Sequence, residues 1–205
     1  DLRMSRGLGD VYKRQSFSME SGGLDYAVLG IGVNTYEPEG GFPEAIRDIA
    51  GPIFHERKSD MRNRIAAEII NNFMRLYDSF EENSFYPEYR KRLLWVGEKI
   101  NVIRGSEKSP ATMLGADEDC RLHVRYEDGR RGRLGRSFFS PSDSGLYMSI
   151  LLRPDMAAAD AVKITTAAAV SVALAVEKVS DQKPDIKWVN DIYINGRKIC
   201  GILTE

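Results

Sequence analysis

The sequence predicts a mixed α/β fold of the α+β kind, in which a mixed sheet flanked by helices carries a small second β module. Three observations carry this prediction. Strand-like apolar runs alternate with long helical stretches over most of the 205 residues. A segment in the middle of the chain instead reads as short strands separated by turn residues. The C-terminal segment reads as two strands joined by Asn195-Gly196, a dipeptide that suits the type I′ hairpin turn.

Composition limits the classes of function. The chain is 42% hydrophobic and 29% charged, which is typical of a globular protein with one core and a small satellite domain. Its net charge of −1 gives no field that would hold a polyanion, so bulk nucleic-acid or membrane-surface binding is not predicted. The longest charge-free apolar stretch, 164–176, is too short to cross a bilayer. No signal peptide is visible, and we predict a cytoplasmic protein.

The cysteines and histidines carry little chemistry in this pattern. Cys120 and Cys200 have no framework spacing, so we predict a reduced, intracellular protein in which both thiols are packing groups. His55 and His123 stand alone in the sequence, and we expect no metal site built from them.

The first half of the chain begins with residues that fit no periodicity. Residues 1–15 are predicted to be a non-native or disordered tail. Residues 25–33 read as a strand that ends in the sequence GIGVN. A long helix is predicted over 61–83 because apolar side chains recur on one of its faces, and a shorter helix over 86–94. The apolar stripe of the long helix consists of Ile65, Ile69, Phe73, Leu76, Tyr77 and Phe80.

The middle of the chain is predicted to be a small β module. Strands are expected over 99–104, 111–114 and 122–126, with breaks at Gly105-Ser106 and at 117–119. A meander of this size suggests a small barrel that is not stable alone. Barrels of this sort are interaction modules more often than catalytic ones.

The last part of the chain returns to α/β alternation. A cationic loop, 130–136 with the sequence RRGRLGR, precedes a predicted strand over 146–152. A buried helix is expected over 156–179, where many alanines allow close packing against a sheet. A cation, an indole and two carbonyl-bearing side chains lie within five residues at the hairpin that follows, namely Lys187, Trp188, Asn190 and Asp191. This combination is costly to place at a strand end for packing alone.

This hairpin segment closely resembles the lysine segment of the biotin–protein ligases. It reads DIKWVNDIYINGRKICGILTE, and the usual form of the family has Pro where Val189 stands. The RRGRLGR loop, the FSP after it and the strand LYMSILLRP fit the same family. The resemblance implies a class II synthetase-like catalytic domain with an SH3-like barrel at its C-terminal side. Lipoate ligases share the fold class and the lysine, but the loop and the barrel favour biotin.

The order of these parts differs from that of the family, where the loop and hairpin come first and the barrel last. The resemblance therefore divides the chain into the second half of the catalytic domain (16–95), the barrel (96–129) and the first half (130–205). A continuation from Glu205 to Ser16 would read as strand–turn–strand, so we predict a permuted or misassembled order. We also expect the Ser-Thr-Asn segment of the family's biotin pocket to be missing.

The resemblance implies ATP-dependent ligase chemistry in two steps. Biotin and ATP first give biotinyl-5′-AMP, and a lysine of a biotin carboxyl carrier domain then accepts the biotinyl group. Lys187 would act as a fixed charge between the biotin carboxylate and the α-phosphate. Arg131 and Arg133 would close over the adenylate, with Gly132 giving the backbone room. ATP implies Mg²⁺, whose ligands are not predicted.

Three further residues complete the expected site. Gly30 would let biotin approach the backbone closely, Asn34 would offer its amide to adenine, and Asn190 lies beside the lysine. The GIGVN sequence is weak when taken alone, because it is not the GxGxxG phosphate fingerprint.

Two other interpretations stay open at this point. The chain could be a rearranged, inactive fragment that binds adenylate weakly because part of the biotin pocket is missing. It could also be a module that binds nucleic acid through the basic loop, although no aromatic run beyond Phe138 and Phe139 supports base stacking. No helix-turn-helix is visible, so nucleic acid is not an expected partner.

Overall fold

The computed structural model describes residues 24, 26–104, 107–126, 144–157 and 160–204. This part of the chain forms three helices and two sheets. The helices are α1 (Met61–Asp78), α2 (Tyr86–Arg92) and α3 (Ala161–Ser180). The larger sheet consists of β1 (Ala27–Val33), β5 (Leu146–Leu152), β6 (Asp185–Lys187), β7 (Asp191–Ile194) and β8 (Arg197–Thr204). The smaller sheet consists of β2 (Lys99–Arg104), β3 (Glu107–Ala116) and β4 (Leu122–Tyr126).

The larger sheet has the strand order β5-β1-β8-β7-β6. The predicted α+β class with a helix-flanked sheet is confirmed, but every pairing between these named strands is antiparallel rather than mixed. Parallel pairing in the described residues is limited to isolated bridges such as that between Leu93 and Ile186. For β6, β7 and β8 the physical reason is that they follow one another through short turns, which produce antiparallel neighbours.

Helices α1 and α3 pack against each other and cover one face of the larger sheet. Alanines such as Ala167, Ala168 and Ala169 let α3 approach its neighbours closely, and this helix is buried along most of its length. The predicted stripe of α1 is confirmed, with Ile65, Ile69 and Phe73 fully buried. Within the described residues, no helix combines the length and the apolar character that a membrane crossing needs.

The first two helices end earlier than predicted. Helix α1 stops before Ser79, whose hydroxyl donates a hydrogen bond to the Arg75 carbonyl at 3.3 Å and thereby competes with continuation of the helix. Helix α2 stops before Leu93, which adopts an extended conformation and bridges Ile186 of β6. In both cases a contact that sequence periodicity cannot show decides the boundary.

Helix α3 begins at Ala161 and not at residue 156. The carbonyl of Met156 instead accepts a hydrogen bond from the Leu24 amide at 3.1 Å. The segment before the helix is therefore tied to the chain that leads into β1. Strand β1 starts at Ala27, close to its predicted start, and β5 has its predicted limits.

The smaller sheet has the order β2-β3-β4 and is antiparallel. Two of its predicted strands have the expected limits, and the third, predicted over 111–114, extends over the whole of β3. Its own core is small and consists of Val102, Ala111, Val124 and Tyr126. The described residues of this segment form an open sheet of three strands. Closure of this sheet into an SH3-like barrel stays a prediction.

The two faces of the larger sheet have different environments. On β1 the side chains of Leu29, Ile31 and Val33 are buried against the helices. The opposite face, here called the outer face, carries the alternate residues, and on β5 these include Leu151, which is 62% exposed. Because alternate residues of a strand point to opposite faces, the register determines which side chains share the outer face.

Strand β1 lies between β5 and β8, so the two predicted halves of the catalytic domain share one sheet. Thr204 near the end of β8 is opposite Leu29 near the start of β1, in the antiparallel arrangement expected of a strand–turn–strand unit. The division into 16–95, 96–129 and 130–205 and the permuted order stay predictions.

Candidate functional site

The register of the larger sheet places Lys187 and two glycines in one row on the outer face. A row here means a line of directly paired residues that crosses neighbouring strands. Lys187 pairs with Asp191, Asp191 with Gly201, and Gly201 with Gly32. The row ends at Tyr147 on β5. Directly paired residues project to the same side of a sheet. Neighbouring strands lie about 4.8 Å apart, so about 14 Å separates the backbone of Lys187 from that of Gly32.

Gly30 lies on the same face, one row away. It pairs with Ser149 on one side and Leu203 on the other. A Cβ built at Gly30 would meet the Leu203 carbonyl oxygen at 3.7 Å, an ordinary contact. The glycine is therefore not required by packing, and its small size leaves the backbone accessible to a flat ligand from this side.

The ammonium group of Lys187 lies close to two aromatic rings. Its Nζ is 5.0 Å from the centroid of the Trp95 ring and 5.6 Å from that of Tyr193. Both distances fall within the range of cation–π attraction. Tyr193 lies on β7 and on the outer face, whereas Trp95 belongs to the connection between α2 and β2. Lys187 as a whole residue is half-buried.

The backbone around Lys187 is held by three hydrogen bonds from distant parts of the chain. The indole N–H of Trp188 donates to the Cys120 carbonyl at 2.9 Å. The Tyr89 hydroxyl donates to the Val189 carbonyl at 3.0 Å. The Asn190 side-chain amide donates to the carbonyl of Ile202 on β8. Because β6, α2, β8 and the smaller sheet all contribute, the position of the lysine backbone is strongly determined.

Cys120 ties the same region to α3. Its thiol donates to the Thr166 hydroxyl at 3.2 Å, and burial raises the pKa of Cys120 to about 11. Burial also raises the pKa of Cys200. Both thiols are buried and neither is in a disulfide, which confirms the prediction that they are packing groups.

Asn34 joins three segments at the end of β1. Its side-chain amide donates to the carbonyls of Gly51 and Lys198, each at 3.3 Å. The Gly51 amide in turn donates to the Lys198 carbonyl at 2.9 Å. Both described hydrogen bonds of the Asn34 amide therefore go to backbone carbonyls. The predicted amide contact with adenine would require this arrangement to change, and it stays a prediction.

One carboxylate of the row is paired with a cation. Asp191 Oδ1 lies 2.6 Å from Lys198 Nζ, and both side chains are largely buried. Among the described residues, no group of three or more His, Cys, Asp or Glu side chains is arranged to hold a metal ion. The outer face thus offers cationic, aromatic and glycine surfaces, which suit an anionic, planar ligand.

Part of the chain is similar to known proteins. A model of the biotin/lipoate A/B protein ligase family matches residues 120–205. The bifunctional ligase/repressor BirA of Bacillus subtilis (strain 168) is 45% identical over 107 residues, which are 51% of this chain and 33% of that protein. Over residues 120–205 the chain is therefore similar to the biotin/lipoate A/B protein ligase family.

Two other relatives match with lower identity. BirA of Escherichia coli (strain K12) is 36% identical over 82 residues, which are 40% of this chain and 26% of that protein. The biotin–[acetyl-CoA-carboxylase] ligase of Paracoccus denitrificans is 35% identical over 84 residues, 40% of this chain and 35% of that ligase. The chain spans about a third of the length of the first curated relatives. No solved structure matches.

Part of the site predicted from this family lies outside the described residues, namely Arg131, Gly132 and Arg133. Lys187, Asn190 and Gly30 lie in the described part, and the register brings Lys187 and Gly30 to the same face. Their roles with biotin and adenylate stay predictions.

Sequence reasoning missed three aromatic residues that surround the lysine segment: Tyr89, Trp95 and Tyr193. Tyr193 could have been found by strand alternation, because it follows Asp191 by two residues on the same face. Tyr89 and Trp95 come from α2 and its C-terminal connection, and no local pattern connects them to the lysine.

Proposed function

We propose that this chain carries the catalytic machinery of an ATP-dependent biotin–protein ligase. The observation that supports the proposal most directly is the row from Lys187 to Gly32 on the outer face. It combines a cation that lies near two aromatic rings with two glycines, Gly201 and Gly32, in the middle of the sheet. An acid and a nucleoside triphosphate are both anionic and both planar in part, so this surface suits them together.

In the first step, an oxygen of the biotin carboxylate attacks the α-phosphorus of ATP. A new carboxyl–phosphorus bond forms, the bond to the β-phosphate oxygen breaks, and pyrophosphate leaves. The barrier arises largely from bringing two anions together, so charge neutralisation and alignment are the main contributions of the protein. Lys187 supplies a positive charge that bridges the carboxylate and the α-phosphate. Gly30 lets the biotin ring system lie against β1.

The basic loop completes the anionic site. Arg131 and Arg133 pair with oxygens of the adenylate, because a guanidinium group offers several donors in one plane. Gly132 between them allows the backbone to follow the ligand. Once formed, the mixed anhydride is shielded from water by this loop.

In the second step, the amine of a lysine on a biotin carboxyl carrier domain attacks the acyl carbon of biotinyl-5′-AMP. An amide bond forms, the acyl–oxygen bond breaks and AMP leaves, while the amine releases one proton. AMP is a good leaving group, so this step needs orientation of the acceptor more than further charge.

Magnesium would enter with ATP. Mg²⁺ commonly binds substrate phosphates together with only one or two carboxylates, so a preformed protein cluster is not required. Asp191 is the carboxylate of the row, and its pairing with Lys198 would have to open before it could serve as a ligand.

The proposal is tested by pyrophosphate exchange into ATP, measured on the purified chain with biotin, with lipoate and with no acid. Exchange that depends on biotin supports a biotin ligase, and exchange with lipoate alone would reassign the substrate. A second assay follows transfer of biotin to an isolated carboxyl carrier domain.

The alternative of an inactive, rearranged fragment predicts a different result. Such a chain would bind a non-hydrolysable biotinyl-adenylate analogue weakly and would show no exchange. Calorimetric titration with the analogue therefore distinguishes a fragment from a chain of unrelated function. A preference for oligonucleotide over the analogue would favour the nucleic-acid interpretation instead.

A further inference from the structure

We propose that Trp95 is a positioning residue that holds the Lys187 ammonium over the outer face. This inference rests on the proposed function, because it assigns a supporting residue to the same site. The observation that carries it is the 5.0 Å distance between Lys187 Nζ and the centroid of the Trp95 ring. Trp95 does not lie in the row of the sheet and is placed to act through the lysine.

The exposure of Trp95 is not explained by packing. Its side chain is 45% exposed, although an indole gains free energy when it is buried. Its backbone has a φ of 64°, in the left-handed region that bulky residues rarely adopt. A residue of this kind persists where the surrounding structure determines its conformation, and such residues cluster at functional sites.

The backbone on both sides of Trp95 is tied to the two sheets. The amide of the preceding residue, Leu94, donates to the Ile186 carbonyl on β6 at 2.9 Å. Two residues later, the Gly97 amide donates to the Met113 carbonyl on β3 at 2.8 Å. The indole is therefore held where the smaller sheet meets the edge of the larger one, next to the lysine strand.

A fixed ring limits the freedom of a flexible lysine. The side chain of Lys187 has four methylene groups and could otherwise populate many rotamers. The centroids of the Trp95 and Tyr193 rings lie 5.0 and 5.6 Å from its ammonium, and both rings attract it. The charge is thereby confined near the carboxylate and phosphate that it is proposed to bridge, and less side-chain entropy is lost when the ligands bind.

The first test measures the lysine directly and does not need enzymatic turnover. Competitive acetylation at fixed pH, read by mass spectrometry, gives the rate at Lys187 relative to the exposed Lys183 in the same molecule. Loss of the ring in Trp95→Ala should raise this ratio about threefold, because cation–π attraction no longer protects the ammonium. Trp95→Phe should restore most of the protection, whereas Trp95→Leu, which keeps apolar bulk, should not.

Val96→Ala provides the matched control, since Val96 is the neighbouring residue and is also half exposed. It should leave the acetylation ratio unchanged. An unchanged ratio in Trp95→Ala, or equal protection by Leu and Phe, would overturn the assignment. Circular dichroism on each variant confirms that the fold is kept, and the Phe and Leu variants decide the question if Trp95→Ala does not fold.

The second test uses biotin-dependent pyrophosphate exchange. Trp95→Ala should lower kcat about tenfold with little change in KM for ATP, and Trp95→Phe should recover most of kcat, as expected for a residue that orients a catalytic cation. A raised KM with unchanged kcat would contradict the positioning role. If the parent chain shows no exchange, the proposed ligase function fails, while the acetylation ratio still decides whether Trp95 holds the lysine.

Discussion

The indole N–H of Trp188 donates a hydrogen bond to the Cys120 carbonyl at 2.9 Å, across 68 residues of sequence. Cys120 lies in the turn between β3 and β4, and Trp188 directly follows the lysine of β6. The smaller sheet is therefore joined to the candidate site and not only to the surface of the larger domain. Because the sheet has a small core of its own, we infer that it depends on this contact for part of its stability.

Trp188→Phe should destabilise the protein by about 1–2 kcal/mol. The substitution keeps an aromatic ring but leaves the Cys120 carbonyl without its indole donor, and loss of one partner of a partly buried hydrogen bond costs free energy of this size. Urea unfolding followed by circular dichroism measures the effect. Trp95→Phe is the matched control and should change the unfolding free energy by less than about 0.5 kcal/mol. Equal effects of the two substitutions would show that the Trp188 hydrogen bond contributes nothing specific.

Lys187→Ala should abolish biotin-dependent pyrophosphate exchange and leave the fold intact. The side chain is half-buried at a strand end, so its removal costs little stability, whereas the bridging charge is lost completely. Exchange of labelled pyrophosphate and the urea midpoint are measured on the same preparation. Lys183→Ala, which removes an exposed lysine four residues earlier, should keep full activity. Persistent exchange in Lys187→Ala would remove the lysine from the mechanism.

The local parts of this region were predictable because their chemistry is local. Asn195 and Gly196 have φ values of 51° and 75°, as the type I′ turn requires, and the predicted hairpin is confirmed. The apolar stripe of α1 was predictable in the same way, because helical periodicity depends only on spacing. Both features follow from interactions within a few residues.

The long-range parts of the site could not be read from the sequence. The row from Lys187 to Gly32 depends on the strand order β6-β7-β8-β1, and a shift of one residue in any pairing would move a side chain to the other face. The acceptors of the Asn34 amide lie 17 and 164 residues away. The periodicity that predicts strands carries no information about such partners, which is why Asn34 was expected at the adenine alone.

Asn34→Ala should loosen the loop around Gly51 and lower stability by about 1–2 kcal/mol. Two backbone carbonyls, those of Gly51 and Lys198, lose their side-chain donor, and they are only partly able to find water instead. Hydrogen exchange should accelerate at the Gly51 amide, which donates to Lys198, and not at the Leu94 amide on the far edge of the sheet. Unchanged exchange at Gly51, together with weaker binding of ATP, would instead favour the predicted contact with adenine.

Stability should fall between about pH 9 and pH 11 because of the Cys120 thiol. Burial raises its pKa from 9.0 to about 11, so the folded state keeps the thiol neutral while the unfolded chain already ionises. The stabilisation is complete below the unfolded pKa and is lost as pH rises through the folded one, at about 1.4 kcal/mol per pH unit in this interval. Unfolding free energies of the parent and of Cys120→Ala, measured from pH 8 to pH 10.5, should converge with this slope. Other groups that titrate in this pH range, including Cys200, are present in both proteins, so their contributions cancel in the difference between the two unfolding free energies. If the two free energies instead change in parallel with pH, Cys120 is not protected from ionisation.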